Sequence, residues 1–205
     1  MNVLMINGSP RGNGNTAIAL REMKNVFAQE GTEVTELNVG VKAIRGCIAC
    51  NKCAELGKCV FDDAVNEAAP LVAKADGVVV ASPVYYASAN GNLISFLDRL
   101  FYSSRCDLTM KVGASVVCAR RGGCSATFDE LNKYFTISGM PLASSQYWNS
   151  IHGRLPGEAE QDGEGKQTMR ALARNMAFLM KSITLGKEAY GLPEKEPRVA
   201  THFIR

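Results

Sequence analysis

Four cysteines lie within thirteen residues, in the segment CIACNKCAELGKC, and two, two and five residues separate them. They are Cys47, Cys50, Cys53 and Cys59. An iron–sulfur cluster takes four thiolates as ligands. A four-thiolate zinc site usually draws pairs of cysteines from two separated knuckles, so three cysteines at successive three-residue steps suit zinc less well. The spacing therefore favours a cluster, with zinc and reduced thiols held by packing alone as the alternatives.

A second segment suited to chemistry is the loop GSPRGNGNT, which follows an apolar, strand-like chain start. Successive backbone N–H groups at the start of a helix, together with polar and basic side chains, bind phosphates. The side chains in this loop are Ser9, Arg11, Asn13, Asn15 and Thr16. The loop is therefore predicted to hold the phosphate of a mononucleotide, and a glycine-rich turn that binds nothing is the alternative.

Two other kinds of phosphate loop fit this segment less well. A Walker A loop needs a lysine before its serine or threonine, and Asn15 occupies that position. The residues from Gly12 to Ala17 fit a relaxed GxGxxA dinucleotide pattern, but this pattern begins four residues after Gly8 instead of at the strand end. The second predicted strand also ends on Asn38, where a dinucleotide fold places an acid for the ribose.

Two further loops follow buried strands. The segment SPVYYASANG can place Tyr85 or Tyr86 against a flat ring, with backbone groups around Val84 bonded to the polar edge of that ring. The turn Arg120–Gly123 adds positive charge that suits an electron-rich ring or a substrate anion. A plain strand–helix connection and a solvated pair of arginines are the alternatives for these two loops.

The apolar pattern predicts five alternating β–α units. Strands are predicted over residues 2–7, 33–39, 77–82, 111–119 and near 141–147. Helices are predicted before Gly31 and over residues 64–75, 92–102, 125–138 and 166–183, with Asp62 and Asp63 at the start of the second. A parallel sheet of this kind binds its ligand at the carboxyl ends of the strands, where the strand order reverses. We therefore expect the loops at 8–16, 83–91 and 120–124 to meet at one edge.

Size and composition predict one domain, since 205 residues with 46% hydrophobic and 21% charged are ordinary globular values. We place it at residues 1–185, with a cysteine-rich loop at 44–62 and an irregular C-terminal arm at 186–205. The net charge of +3 is spread out, which predicts no nucleic-acid partner. No apolar run or signal-peptide pattern predicts membrane insertion or export. Seven cysteines, an odd number, do not suit a secreted disulfide framework, so a cytoplasmic protein is expected.

His152 and His202 are the only histidines in the sequence. Neither is expected beside a serine or cysteine nucleophile with a partnered acid, so a hydrolase built on a catalytic triad is not predicted. Cys118 falls inside the apolar run VGASVVCA and is expected to be a small buried hydrophobe.

These segments together resemble the flavodoxin-like FMN proteins of the NADPH-dependent FMN reductase superfamily, and within it the iron–sulfur flavoproteins. The resemblance extends from NGSPRGNGNT through the cysteine segment and SPVYYASANGNLISFLDR to the RRGG turn. It implies a flavodoxin-like three-layer α/β sandwich, with a five-stranded parallel sheet in the order 2-1-3-4-5 and helices on both faces.

The resemblance also implies roles for individual residues. Those implied for the FMN phosphate are Ser9, Arg11, Asn13, Asn15 and Thr16. Those implied to face the isoalloxazine are Pro83, Val84, Tyr85 and Tyr86, bordered by Arg120, Gly122 and Gly123. In the iron–sulfur branch, a compact motif like that of Cys47, Cys50, Cys53 and Cys59 ligates a 4Fe-4S cluster.

The expected function is that of an FMN-dependent oxidoreductase that passes electrons between NAD(P)H or a reduced carrier and a small acceptor such as a quinone or free flavin. Because the flavin supplies the redox chemistry, no catalytic side chain is assigned. One alternative is an iron–sulfur flavoprotein that carries electrons from ferredoxin through a 4Fe-4S cluster. Another is a flavin- or metal-binding redox module without turnover.

Self-association as a homodimer or homotetramer is expected, because a shallow flavin edge on one small domain leaves the ring open to water. The helix from Asn92 to Tyr102 and the C-terminal arm are the expected contact surfaces.

Overall fold

The computed structural model describes residues 1–197, 199–201 and 203, and its centre is a five-stranded parallel sheet. The strands are β1 (Asn2–Asn7), β2 (Glu33–Asn38), β3 (Gly77–Pro83), β4 (Val112–Ala119) and β5 (Ser150–His152). Their spatial order is β2-β1-β3-β4-β5, so the predicted order is confirmed. The order reverses at β1 and β3, which is where sheets of this kind bind ligands.

The three central strands consist mainly of apolar residues because both faces of the sheet are covered. Every residue of β4 is buried, as are all residues of β1 after Asn2 and all residues of β3 before Pro83. Continuous burial is typical of a parallel strand between two helical layers. The edge strand β2 is only partly buried and keeps a more polar sequence.

The helices that connect the strands form two outer layers. They are α1 (Asn15–Gln29), α2 (Cys53–Leu56), α3 (Ala64–Lys74), α4 (Gly91–Ser103), α5 (Cys124–Ile137) and α6 (Gly163–Tyr190), with a short 3₁₀ helix at Glu158–Gln161. Apolar residues of α1 and α6 pack on one face of the sheet, and those of α3, α4 and α5 pack on the other. This arrangement is the predicted three-layer α/β sandwich.

Two side-chain caps start helices that border the site. Asp63 Oδ1 accepts a hydrogen bond from the Val65 N–H at 3.1 Å and begins α3, as the sequence predicts. Asn90 Oδ1 accepts from the Asn92 and Leu93 N–H groups at 2.9 and 3.3 Å and begins α4. Such caps satisfy backbone donors that a helix start leaves unpaired.

The predicted fifth strand near 141–147 is wrong, because β5 lies at Ser150–His152. A single isolated bridge, at Leu142, joins the predicted region to β4. Beyond that bridge the chain turns, and Ser145 Oγ donates to Tyr147 O at 2.6 Å. Local side-chain bonds of this kind compete with strand pairing, so the sheet is resumed only after the turn.

Helix α6 is longer than the predicted 166–183 and runs from Gly163 to Tyr190. Residues 186–190 of the predicted irregular arm are therefore helical, while residues 191–197 form neither helix nor strand. His202 and three other arm residues, at 198, 204 and 205, lie outside the described residues. Among the helices described, none has both the length and the apolar composition of a membrane span.

Candidate functional site

The loops after β1, β3 and β4 meet at one edge of the sheet and border an open cleft. The cleft is lined by Ser9, Pro10, Arg11, Gly14, Asn15, Thr16, Pro83, Val84, Tyr85, Cys118, Ala119, Arg120, Gly153 and Arg154. Most of the predicted cofactor residues are therefore together. The exceptions, which do not line the cleft, are Asn13, Tyr86, Gly122 and Gly123.

The first of these loops presents hydrogen-bond donors at the start of α1. Gly14 is the N-cap residue, and no side chain among the described residues caps this helix. Unpaired N–H groups in the first turn, together with the positive end of the helix dipole, attract anions. Ser9 is buried beside them, and its Oγ accepts from the Arg11 N–H at 3.2 Å. The loop therefore offers an anion both backbone donors and the charge of Arg11.

The Asn15 side chain is engaged by the protein itself. Its Nδ2 donates to Leu155 O at 2.9 Å, and its Oδ1 accepts from the Ala159 N–H at 3.1 Å. Asn15 therefore ties the segment after β5 to α1, and its backbone N–H and the second N–H of Nδ2 are the donors left for a phosphate. Asn13 is exposed and lies away from the cleft wall.

The loop after β3 makes a sharp turn that places two tyrosines differently. Tyr85 and Ser88 exchange backbone hydrogen bonds of 2.8 and 3.0 Å around Tyr86 and Ala87. These two central residues have φ values of 52° and 60°, as in a type I′ turn. Tyr85 reaches the cleft wall, whereas Tyr86 is fully exposed.

The loop after β4 packs against this turn through Gly123. The φ of Gly123 is +89°, and a Cβ there would lie 2.9 Å from both Ala87 Cα and Val84 Cγ1. Only glycine fits both the conformation and the space. Arg120 lies on the cleft wall and Gly122 is exposed. The β4 loop thus supports the turn and adds a positive charge to the cleft.

The cysteine segment surrounds a second, narrower cavity. It is lined by Cys47, Ile48, Cys50, Asn51, Cys53, Cys59, Val60, Phe61, Arg99, Tyr102 and Ser103. All four thiols are free, and within the described residues no three His, Cys, Asp or Glu side chains form a group that could hold one metal ion. A 4Fe-4S cluster takes one thiolate for each iron, so its four ligands surround a cavity and need not converge on one point.

The backbone of the cysteine segment is unusual. Ala49 and Asn51 have φ values of 53° and 57°, a conformation that costs energy for residues other than glycine. Lys52 follows in the right-handed region. Alternation of this kind produces concave rows of N–H groups, which are found at phosphate and iron–sulfur sites. The Ala49 N–H donates to Cys47 Sγ at 3.5 Å.

Arg99 of α4 lies on the wall of this cavity and is 1% exposed. Its Nη1 and Nη2 pair with the Asp63 carboxylate at 2.7 and 2.9 Å. Burial opposes the ionisation of Asp63, but hydrogen bonds from Arg99 and from the Val65 N–H outweigh it and lower the pKa of Asp63. Burial also disfavours the charge of Arg99, but hydrogen bonds to Asp63 and Cys59 outweigh it and raise the pKa of Arg99.

Comparison with known proteins relates this chain to flavoproteins. The family model for NADPH-dependent FMN reductase matches residues 1–153, which include the three cleft loops and the cysteine segment. The chain belongs to the NADPH-dependent FMN reductase family. This family member is 34% identical, over 195 residues, to an iron–sulfur flavoprotein of Methanocaldococcus jannaschii, and the match covers 89% of this chain and 99% of that relative. Membership makes the chain a redox flavoprotein of the FMN type.

Solved structures share the fold of this FMN reductase family member at low identity. RosB with bound 8-demethyl-8-formylriboflavin-5′-phosphate matches with a TM-score of 0.71 and 14% identity, over 99% of this chain and 92% of that one. A flavodoxin from the domain Archaea matches with a TM-score of 0.58 and 15% identity, over 88% and 99% of the two chains. The predicted family and the flavodoxin-like fold are therefore confirmed.

Two residues that support the cleft of this family member were not predicted from the sequence. Arg154 joins Arg120 on the cleft wall, and it follows the strand whose position was predicted wrongly. Glu130 of α5 accepts hydrogen bonds from Ser88 Oγ and the Ala89 N–H at 2.8–2.9 Å and holds the turn after β3. No local pattern distinguishes Glu130 from the other acids on an exposed helix face.

Arg99 was also not predicted, although the sequence of α4 contains a signal. Arg99 comes three residues after Phe96 and four before Ser103, and all three are buried on α4. Arginine is rarely fully buried unless it is paired. An arginine at a position that the helical period assigns to the core therefore indicates a buried ion pair, but it does not identify the partner.

The structure also brings a thiol and an imidazole together. Cys124 Sγ lies 3.7 Å from His152 Nε2, and His152 Nδ1 lies 3.5 Å from Asp162 Oδ2. The expectation that no histidine lies beside a cysteine with a partnered acid is therefore wrong for His152. Burial raises the pKa of Cys124, and it raises the pKa of Cys118 to about 12. Both thiols stay protonated at neutral pH and are poor nucleophiles.

Proposed function

We propose that this protein is an FMN-dependent oxidoreductase that passes electrons between NAD(P)H or a reduced carrier and a small acceptor such as a quinone or free flavin. One observation carries the proposal. The uncapped start of α1 and the turn after β3 border one cleft at the point where the strand order reverses. A flat ring that carries a phosphate can contact both elements at once.

The residues of the cleft fit FMN. Ser9, Arg11 and the first N–H groups of α1 would hold the phosphate, and Val84 and Tyr85 would lie against the ring. The bound flavin supplies the one- and two-electron chemistry. Arg120 adds positive charge to the same wall, which favours a ring that gains electrons.

We also propose that the chain self-associates as a homodimer or homotetramer. The cleft is open to solvent on one side, and Tyr86 beside it is fully exposed. Tyr102, at the end of α4, is a second exposed aromatic side chain and lies beside the cysteine cavity. Large exposed aromatic side chains are common at protein interfaces. A single sedimenting species near 22 kDa at micromolar concentration would contradict this proposal.

A second candidate function, favoured by the cysteine cavity, is electron transfer from ferredoxin through a 4Fe-4S cluster to the flavin. Four free thiols line one cavity, and the segment that carries them has left-handed backbone at Ala49 and Asn51, followed by right-handed backbone at Lys52. Both features fit a cluster. Cys47, Cys50, Cys53 and Cys59 would each bind one iron. A four-thiolate zinc site and reduced thiols without metal are the competing outcomes.

The backbone that leads into the cysteine segment contacts the phosphate loop. Gly40 follows β2, and a Cβ there would lie 2.2 Å from the carbonyl carbon of Ser9. Asn92 Nδ2, at the start of α4, donates to Gly40 O and Lys42 O at 3.2 and 3.0 Å. This part of the chain is therefore held between the phosphate loop and α4.

Protein purified without oxygen tests these proposals through its absorption spectrum and its content of FMN, iron, sulfide and zinc. One FMN with about four irons per chain supports both functions. FMN without iron supports a reductase with structural cysteines, and one zinc per chain supports the zinc site. A chain that binds no FMN contradicts the first proposal.

Turnover separates the oxidoreductase from a redox module. We expect NADH or NADPH oxidation with a quinone or free flavin as acceptor, and the same assay with reduced ferredoxin tests the second donor. FMN-loaded protein that oxidises none of these donors in the steady state would be a binding module.

A further inference from the structure

Arg99 has the largest side chain among the described residues that are less than 2% exposed. A buried cation is costly unless it is paired and hydrogen-bonded. Asp63 provides that pairing in bidentate form, through contacts of 2.7 and 2.9 Å. The ion pair with Asp63 therefore uses two of the five N–H groups of Arg99, and the acceptors of the other three remain to be identified.

The remaining donors of Arg99 are directed mainly at one sulfur. Nε and Nη2 donate to Cys59 Sγ at 3.3 and 3.2 Å, and Nη1 donates to Arg45 O at 3.1 Å. Nη2 also has a longer contact, of 3.4 Å, with Phe61 O. Each of the five guanidinium N–H groups therefore has an acceptor. A neutral thiol is a weak acceptor, whereas an ionised group accepts hydrogen bonds about twice as strong. Two donors on one sulfur suit a metal-bound thiolate.

Cys59 differs in this respect from the other three cysteines of the segment. Cys47 Sγ accepts from a backbone N–H, and Cys53 meets Arg105 only through its carbonyl oxygen. Within the described residues, Cys59 is the one cysteine of the segment whose sulfur accepts from a charged side chain. Arg99 therefore acts on one of the four proposed ligands, Cys59, and not on the cavity as a whole.

Arg45 is a natural control for Arg99. The two guanidinium carbons lie 5.0 and 5.1 Å from the centre of the same ring, that of Phe61. Arg45 is exposed, and its side chain donates no hydrogen bond to a cysteine among the described residues. Arg45→Lys keeps the carbonyl that Arg99 uses, and it removes a guanidinium from the ring without touching Cys59.

We propose that Arg99 is a positioning residue for the cluster of the second candidate function, on which this inference rests. The N–H groups of Nε and Nη2 that donate to Cys59 hold its sulfur in place as a ligand and keep the reduction potential of the cluster high. One-electron reduction by a reduced carrier adds one negative charge to the cluster and its thiolates. Hydrogen bonds to the ligand sulfurs stabilise that more negative state. Arg99 keeps its proton throughout, and no bond to it forms or breaks.

The test compares the parent protein, Arg99→Lys and Arg45→Lys after anaerobic reconstitution with iron and sulfide. Lysine can pair with Asp63, but it lacks the planar fork that also reaches Cys59. Iron, sulfide and FMN are counted, and the cluster is titrated by electron paramagnetic resonance at controlled potential. At the midpoint potential of the parent cluster, the ratio of reduced to oxidised cluster in Arg99→Lys should be at least tenfold lower than in the parent. For a one-electron couple, a tenfold change in this ratio corresponds to a midpoint potential that is 59 mV lower. Arg45→Lys should stay within twofold.

The outcomes separate this inference from the proposed function. Loss of iron from Arg99→Lys alone, with FMN still bound, also supports a positioning role. A parent that assembles a cluster while Arg99→Lys matches Arg45→Lys overturns the inference and leaves the function intact. A parent that assembles no cluster overturns both, and FMN content then shows whether the first proposed function survives.

A second measurement decides the matter if Arg99→Lys does not fold. The parent and Arg45→Lys are grown with arginine labelled with ¹⁵N in the guanidinium group, and the reduced cluster is examined by pulsed electron paramagnetic resonance. A ¹⁵N coupling that is present in both proteins, and that persists in Arg105→Lys, supports the inference. Its absence from the labelled parent overturns it.

Discussion

The cleft and the cysteine cavity obtain their residues in different ways. The cleft combines Ser9, Val84 and Arg120, which are far apart in the chain and meet because parallel strands end at one edge of the sheet. The cysteine cavity takes all four thiols from thirteen consecutive residues and adds Arg99 from a distant helix. A ligand in the cleft would be held by many contacts, so the loss of one weakens its binding. A 4Fe-4S cluster takes one thiolate for each iron and depends on each of its four ligands.

The two regions also treat charge differently. The arginines of the cleft wall lie at an open surface, where water and salt screen them. Arg99 is buried with a carboxylate and a sulfur as its partners. Changes at the cleft should therefore alter ligand affinity, while changes at Arg99 should also alter the stability of the fold.

The largest expected effect is the loss of the cluster in Cys50→Ala. Removal of one thiolate leaves one iron without its ligand, so we expect iron content to fall to background while FMN stays bound. Iron counting and the flavin absorption spectrum measure both. Cys106→Ala, which changes a thiol outside the segment, should keep its iron. A Cys50→Ala protein that also lost FMN would show that the two regions are not independent.

Ser9→Ala combined with Arg11→Ala should weaken FMN binding and leave iron content unchanged. Each charge-assisted contact that is lost costs about 1.5–3 kcal/mol, or roughly tenfold or more in affinity. Titration of the apoprotein with FMN, followed by fluorescence quenching, measures the change. Arg21→Ala is the matched control, because Arg21 is an exposed arginine of α1 that pairs with Glu160 and does not line the cleft. Unchanged affinity in the double variant would rule out the phosphate assignment.

Arg99→Ala should lower the free energy of unfolding of the protein by about 2–4 kcal/mol, because it leaves Asp63 unpaired and opens a void beside α4. The expected loss is below that of a fully buried pair, since the Asp63 side chain is 28% exposed. Urea unfolding of the metal-free protein measures it. Arg45→Ala, at an exposed position, should change the same quantity by about 0.5 kcal/mol or less. Equal effects of the two changes would show that burial of Arg99 contributes nothing.

The smallest expected effect is a pH dependence from Asp63. Its pKa is lowered in the folded protein, because hydrogen bonds from Arg99 and Val65 outweigh the opposing effect of burial. The resulting stability is fully present above the unfolded pKa of about 3.9 and is lost as the pH falls through the folded pKa. Asp63→Asn keeps a helix cap but not the charge. Its stability deficit relative to the parent should therefore be constant from pH 7 to about pH 5 and shrink at lower pH. A deficit that did not change with pH would mean that the charge of Asp63 is not responsible.

Features that depend on neighbouring residues were predictable from the sequence. The glycine-rich loop before α1, the Asp63 cap of α3 and the continuous apolar strand β3 are each encoded within a few residues. Parallel strands and right-handed crossovers then bring the loops to one edge, so most of the cleft could be predicted without coordinates.

Features that depend on distant partners were not predictable. The Asn15 side chain, expected to face a phosphate, is bonded instead to residues about 140 positions later. His152 meets Cys124 because β5 lies at Ser150–His152, later than the apolar pattern indicated. In each case the sequence showed a polar group but not the partner that the fold placed beside it.

The sequence by itself determined the family, the order of the elements and the identity of the four thiols, because glycine conformations, hydrophobic period and cysteine spacing are local properties of the chain. The tertiary structure decided which polar side chains already have hydrogen-bond or ion-pair partners within the protein. Arg99 could be recognised as an arginine in a core position of α4, but only the packing of α4 against the cysteine segment places Asp63 and Cys59 within its reach. Hydrogen bonds and ion pairs act over about 3 Å, so their partners are chosen by the folded chain and not by proximity in sequence.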